Sequence, residues 1–191
     1  MCYNECMKKR SENMDQTRIK SLVTHALLMA VVTVLTLFVS FPLPLGEGGA
    51  YLNAGDAAVY ASAYILGPVG GALVSGLGSA LADVLHGAVV YAPVTLVIKA
   101  LMGLVCGLLL KRLRRVPPFI AGLVMPAGYL AFEAALYGSA AALFGLWTNG
   151  IQYAFGSFAG LLLFMAFERA GIVKFGKGRL SRMNGSGKGS E

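Results

Sequence analysis

Long apolar runs, broken by short Gly/Pro-rich or basic punctuation, occupy the chain from Ser21 onward. About 20 apolar residues suffice for one helix to cross a bilayer, and the punctuation divides the chain into six such spans. The first is expected from Ser21 to Ser40, stopped by "FPLPLGEGG". A short second span runs from Ala54 to Leu66 and ends at the Gly67-Pro68 turn, and a third runs from Val69 to Leu85. The fourth opens at Pro93, a residue suited to a first helical turn, and closes at the basic "KRLRR". Pro117-Pro118 breaks the chain before the fifth, which is expected to be kinked at Pro126 and to reach Gly145. The sixth is expected from Asn149 to Ala170. The fold class is therefore an all-α integral membrane protein: six transmembrane helices in one bundle.

Charge placement orients that bundle. All but one of the sixteen Lys and Arg fall in three blocks: before the first span (Lys8 to Lys20), after the fourth (Lys111 to Arg115) and after the last (Arg169 to Lys188). The loops expected on the other side, Phe41–Asn53, His86–Ala92 and Gly145–Thr148, contain no Lys or Arg. Positively charged loops stay in the cytoplasm, so both termini are expected there. This divides the chain into a cytoplasmic N-terminal arm (1–20), a six-helix substrate-binding domain (21–171) and a basic, disordered cytoplasmic tail (172–191). The first apolar run reads as an uncleaved anchor, since signal-peptide cores are only ~7–15 residues long.

Composition agrees with this class and narrows the function. Of 191 residues, 57% are hydrophobic and 13% charged, against about 25% charged in soluble domains, and the mean hydropathy is +0.69. The net charge of +7 is spent on topology rather than on a nucleic-acid-binding stripe. Cys2, Cys6 and Cys106 form no disulfide framework, and with His25 and His86 they offer no metal-ligand spacing. The tail's "GSGKGS" lacks the spacing of a phosphate loop. No catalytic motif is present, so an enzyme is not expected.

Polar residues inside the spans carry the remaining information. Gly71, Ser75, Ser79 and Asp83 recur every four residues on the third span, a small-residue face for close helix approach. Lys99 lies six residues beyond Pro93, ~9 Å down the helix. A central charge costs roughly 2.5–3.5 kcal/mol on insertion scales, so such residues face the protein interior. Asp83 lies at comparable depth and is the expected partner of Lys99; a structural ion pair and a ligand-facing role both remain open. Asp56 is expected, with Asn53, to cap the second helix. Tyr129, Glu133 and Tyr137 share one helix face, an arrangement that suits a flat, hydrogen-bonding ring or plain interfacial packing. "WTNGIQYAFG" brings Asn149, Gln152 and Tyr153 to the same outer side, as ligand contacts or as a helix cap and aromatic belt. An apolar bundle with a few converging polar groups has the form of a small-molecule site.

The block Tyr51–Gly103 carries a resemblance. Its Leu-Asn-x-Gly-Asp run (Leu52–Asp56), Leu-Gly-Pro (Leu66–Pro68), Gly-Ser-Ala-Leu-Ala-Asp (Gly78–Asp83) and Tyr-Ala-Pro-x-Thr-Leu-x-x-Lys (Tyr91–Lys99) are similar to the substrate-binding S components of energy-coupling-factor (ECF) vitamin transporters. The riboflavin-type group, which includes pyridoxine and hydroxymethylpyrimidine carriers, is the one it resembles. The resemblance implies a multi-pass subunit of the bacterial cell membrane that has no ATPase or cofactor of its own. Such a subunit holds its vitamin cargo near the outer face and docks onto a membrane coupling subunit and two cytoplasmic ATP-binding subunits. It implies a lid in the loop containing Gly46, Gly48, Gly49 and Asn53, and cargo contacts from spans four to six. It also implies a docking patch at Ala26 and Ala30 in "ALLMA". Which vitamin is carried does not follow from the resemblance. A self-sufficient proton-coupled secondary transporter, with Asp83, Lys99 or Glu133 moving protons, is the alternative.

Overall fold

The computed structural model describes the backbone of residues 2–43 and 50–173, and the side chains of residues 15–39 and 53–173. Helix α1 (Cys2–Phe38) enters as one continuous rod, so the N-terminal arm is part of the first helix rather than a separate segment. It ends four residues before Pro42, and a short antiparallel ribbon follows: β1 (Ser40–Leu43) paired with β2 (Ala50–Asn53), Ser40 opposite Asn53. The tail from residue 174 and the glycines Gly46, Gly48 and Gly49 of the expected lid lie outside the described residues.

Helix α2 (Gly55–His86) is bent back on itself. Gly67 adopts φ 76°, ψ −169°, a conformation for glycine alone, and Pro68 follows it. The two halves then run side by side: Ser75 Oγ donates to the Val59 carbonyl at 3.4 Å. A Cβ on Gly71 would sit 2.6 Å from the Ala63 Cα. The sequence reading of two spans meeting at Gly67-Pro68 describes this geometry.

Helix α3 (Ala92–Leu110) lies against the second half of α2 along a seam that only glycine permits. A Cβ on Gly76 would meet the Leu96 carbonyl at 2.8 Å, one on Gly103 the Gly71 carbonyl at 2.7 Å, and one on Gly107 the Pro68 Cα at 2.5 Å. Lipid tails are as apolar as the helices, so close van der Waals packing and interhelical hydrogen bonds must supply the association. The Thr33 hydroxyl supplies one such bond, donating from α1 to the Gly78 carbonyl at 2.9 Å.

After α3 come α4 (Pro117–Gly122) and α5 (Val124–Tyr137). Helix α4 stops four residues before Pro126, whose missing N–H leaves the Gly122 carbonyl without its helical donor. The expected disturbance of the fifth span falls there: Leu123 joins α4 to α5 with helical dihedrals, φ −61° and ψ −23°. The expected outer turn at Gly145–Thr148 is a correction: those residues lie inside α6 (Ser139–Arg169), and the chain turns at Gly138 instead. Gly138 takes φ 87°, ψ 174° at no side-chain cost. The Thr148 hydroxyl is satisfied within the helix, donating to the Gly145 carbonyl at 3.0 Å. Asn149, for the same reason, caps nothing.

Among the described residues, five stretches are long and apolar enough to cross a membrane by length and composition: Asp15–Phe38, Gly55–His86, Ala92–Leu110, Pro117–Tyr137 and Ser139–Arg169. The core between them is built on Tyr60, Met102, Met125 and Phe164. Tyr60 packs on Gly160, and Tyr64 donates to the Gly160 carbonyl at 3.1 Å. These contacts bring the first half of α2 to α6 as well as to α3.

Candidate binding site

A cavity of about 510 Å³ opens at one end of the bundle. It lies where α1 meets the ribbon, where α2 passes to α3, and where α5 passes to α6. Its floor is set by the first turn of α2. Asn53 Oδ1 accepts from the Gly55 N–H at 2.5 Å and starts the helix, placing Asp56 2% exposed in that first turn. Lys99 of α3, itself 6% exposed, donates to Asp56 Oδ1 and lies 3.2 Å from Met125 Sδ. Gln152 Nε2 of α6 donates to Asp56 Oδ2 at 3.0 Å. Gly156 makes this possible, since a Cβ there would come within 2.8 Å of the Asp56 Cβ. Both carboxylate oxygens of Asp56 are thereby used, and three helices are tied at one buried anion.

Above the floor the walls are aromatic and acidic. Thr95 Oγ1 and the Tyr129 hydroxyl share a 2.8 Å hydrogen bond. The Tyr91 ring stacks on Tyr137 at 6.4 Å and 27°, and lies 6.4 Å from Tyr129. Tyr91 belongs to the connection ahead of α3, where burial and then the Glu133 charge push its phenol up to about 12. It therefore remains a hydrogen-bond donor at neutral pH. Glu133 is pressed against Gly145 of α6, which has no side chain to displace it. Its Oε2, and the Ser79 Oγ, are buried with no hydrogen-bond partner among the described residues. Buried polar groups are normally satisfied, so two orphaned oxygens in one cavity mark places where a ligand's donors fit.

Seven of the expected site residues line this cavity: Asp83, Lys99, Tyr129, Glu133, Tyr137, Asn149 and Gln152. Asn53, expected in the lid loop, lines it as well. Tyr153 does not line it; its hydroxyl donates to the Phe119 carbonyl at 3.1 Å and its ring packs by Gly122. The pairing of Lys99 with Asp83 is corrected: the partner is Asp56. Asp56 faces α3 and α6 from the buried first turn of α2, whereas Asp83 lies half-buried beside Thr95. Ala26 and Ala30 are exposed on α1.

Sequence reasoning passed over Ser79 as a ligand contact and did not raise Tyr91 or Thr95. Tyr91, Thr95 and Lys99 recur every four residues, as do Ser79 and Asp83, and all five line the cavity. The spacing that singled out Tyr129 and Glu133 was thus available on α3 too.

Comparison with known proteins follows the same direction. A family model described as the S component of ECF-type riboflavin transporters matches residues 16–169. The thiamine precursor transporter HmpT of Lactococcus lactis is 31% identical over 160 residues, covering 84% of this chain and 95% of that protein. An uncharacterised protein of Pyrococcus woesei is 36% identical over 126 residues, 63% of this chain and 83% of its own. Among solved structures, the S component of a bacterial ECF transporter superposes with a TM-score of 0.64 at 24% identity, over 80% of this chain and 97% of that one. The S component for biotin of an ECF-type ABC transporter gives 0.60 at 15% identity, over 81% and 92%. At those identities the two structures speak to the fold.

Proposed function

The chain belongs to the family of ECF-type riboflavin transporter S components, and on that premise we propose how this multi-pass membrane transport subunit works. It captures a small aromatic vitamin or vitamin precursor, of riboflavin, pyridoxine or hydroxymethylpyrimidine type, at the outer face of a bacterial cell membrane. It releases the cargo inside with the help of a coupling subunit and two ATP-binding subunits.

The observation that carries this reading is the open-ended cavity with Ser79 Oγ and Glu133 Oε2 left unpartnered in its wall among the described residues. Its volume falls within the roughly 300–1,000 Å³ of small-molecule sites. Orientation supports it too. The fold-back at Gly67 favours six crossings over five, and the positive-inside rule favours a cytoplasmic side for both termini. The cavity then opens at the end opposite Lys111–Arg115 and the Arg114–Glu168 ion pair, which is the outer end by the positive-inside rule. The name of the Lactococcus relative, a thiamine precursor transporter, favours a single-ring precursor as cargo. The glycines of the ribbon loop act as a lid, and the exposed Ala26 and Ala30 of α1 serve as the docking patch for the coupling subunit.

Two measurements test this. Thermal stabilisation of the purified chain by one of the three vitamin types is expected, with no other protein present. Concentrative uptake into liposomes is expected only when the ATP-binding partners and ATP are supplied. A second reading draws on Glu133, a half-buried carboxylate in the cavity wall, which is the type of group that relays protons in transporters. Uptake by the chain alone, driven by a proton gradient without ATP, would establish that reading in place of the first.

A further inference from the structure

The balance of charge in the cavity narrows the cargo. Among the described residues Lys99 is the only Lys or Arg in the cavity wall, and its charge is spent on Asp56. Asp83 and Glu133 remain, and neither is ion-paired with a lysine or arginine among the described residues. The floor amide of Gln152 points its donors at Asp56 and is likewise committed. The phenols of Tyr91 and Tyr137, the Asn149 amide and the Ser79 hydroxyl, which is 1% exposed and unpartnered among the described residues, can donate or accept, so the surplus lies with the two carboxylates, which only accept when ionised. An acceptor-rich pocket recognises donors, and an ionised carboxylate recognises N–H groups most strongly when the partner carries positive charge.

The aromatic wall points the same way. Tyr91, Tyr129 and Tyr137 present tilted and stacked faces beside Glu133. Such faces attract a flat ring, and attract it more when it is cationic. Negative charge on a cargo would meet Asp83 and Glu133 with no free cation to offset them, and like-charge juxtaposition is strongly unfavourable at close range.

Resting on the binding role above, we infer that the cavity selects a flat nitrogen heterocycle bearing an amino or protonated-nitrogen edge. That edge is directed at Glu133 and Asp83, and the site rejects the phosphorylated form of the same molecule.

The test is isothermal titration of the full chain in lipid nanodiscs with two matched pairs and riboflavin. One pair is hydroxymethylpyrimidine and its analogue with a hydroxyl in place of the ring amino group; the other is pyridoxamine and pyridoxine. In the ring series that binds, the amino member is expected to bind about tenfold tighter or more, the worth of one charge-assisted hydrogen bond. Glu133→Gln or Asp83→Asn is expected to remove most of that preference, and the phosphate ester of the amino member to bind at least about tenfold more weakly. Equal or tighter binding of the hydroxyl member, binding of riboflavin alone, or an amine preference untouched by both substitutions overturns the inference and leaves the binding role standing. Undiminished binding of the phosphate ester does the same. Failure of all five compounds to bind removes the binding role and this inference together.

Discussion

Replacing Lys99 with Met tests how the bundle is held at its cavity end. Lys99 and Asp56 are 6% and 2% exposed, and Gln152 Nε2 is the other side-chain donor to Asp56. Lys99→Met keeps the length of the side chain but leaves the carboxylate buried with one neutral donor. Removing one partner of a buried ion pair costs about 3–5 kcal/mol. For a chain of this size about 2–4 °C of Tm accompanies each kcal/mol, so a drop of roughly 6–20 °C is expected. The double variant Lys99→Met/Asp56→Asn has no buried charge left and should recover most of that loss. Lys99→Met/Asp83→Asn should lose the sum of the two single effects to within ~0.5 kcal/mol, as uncoupled sites do. Circular dichroism melts of the detergent-solubilised protein read these three variants together with the single variants Asp56→Asn and Asp83→Asn. A Lys99→Met shift below about 2 °C, or coupling to Asp83 and none to Asp56, refutes the assignment.

Other substitutions probe separate links. Gly67→Ala places a side chain in open space at φ 76°, so any loss is backbone strain alone, ~1–3 kcal/mol; an unchanged melt would contradict the fold-back. Gly145→Ala puts a methyl group onto the Glu133 carboxylate and is expected to weaken cargo affinity by about tenfold or more while the helix remains folded. Retained affinity in titration would take Glu133 out of the site. Ala26→Leu is expected to leave cargo binding intact and to abolish co-purification with the coupling subunit. Normal co-purification would count against the docking patch.

Much of the architecture can be read in the chain because punctuation is local. Gly67-Pro68, the basic block at Lys111 and Pro117-Pro118 each break a helix by covalent geometry or charge, and the structure turns where they stand. The turn between α5 and α6 was misplaced because Gly138 and Gly145 are equivalent by composition. In the structure Gly138 takes the turn, while Gly145 lies inside α6 with Glu133 packed on it. Periodicity found Tyr129, Glu133 and Tyr137 for the same local reason. Gln152 and Tyr153 show its use within one helix: successive residues lie about 100° apart, so the two do not face the cavity together. Which carboxylate meets Lys99 was not legible. Asp56 and Asp83 both lie near the ends of apolar runs, and the choice depends on α2 folding between α3 and α6, with Gly156 and Gly160 opening the way.

If this chain, unaided, holds a small aromatic cargo in the cavity between Asp56 and Glu133, that cargo should come away with it. Gentle purification of the chain alone, denaturation, and mass spectrometry of what is released will show it. One small nitrogen heterocycle per chain is expected in the wild type, and its loss in Gly145→Ala. An empty wild-type chain that none of the candidate vitamins stabilises on re-addition would contradict it.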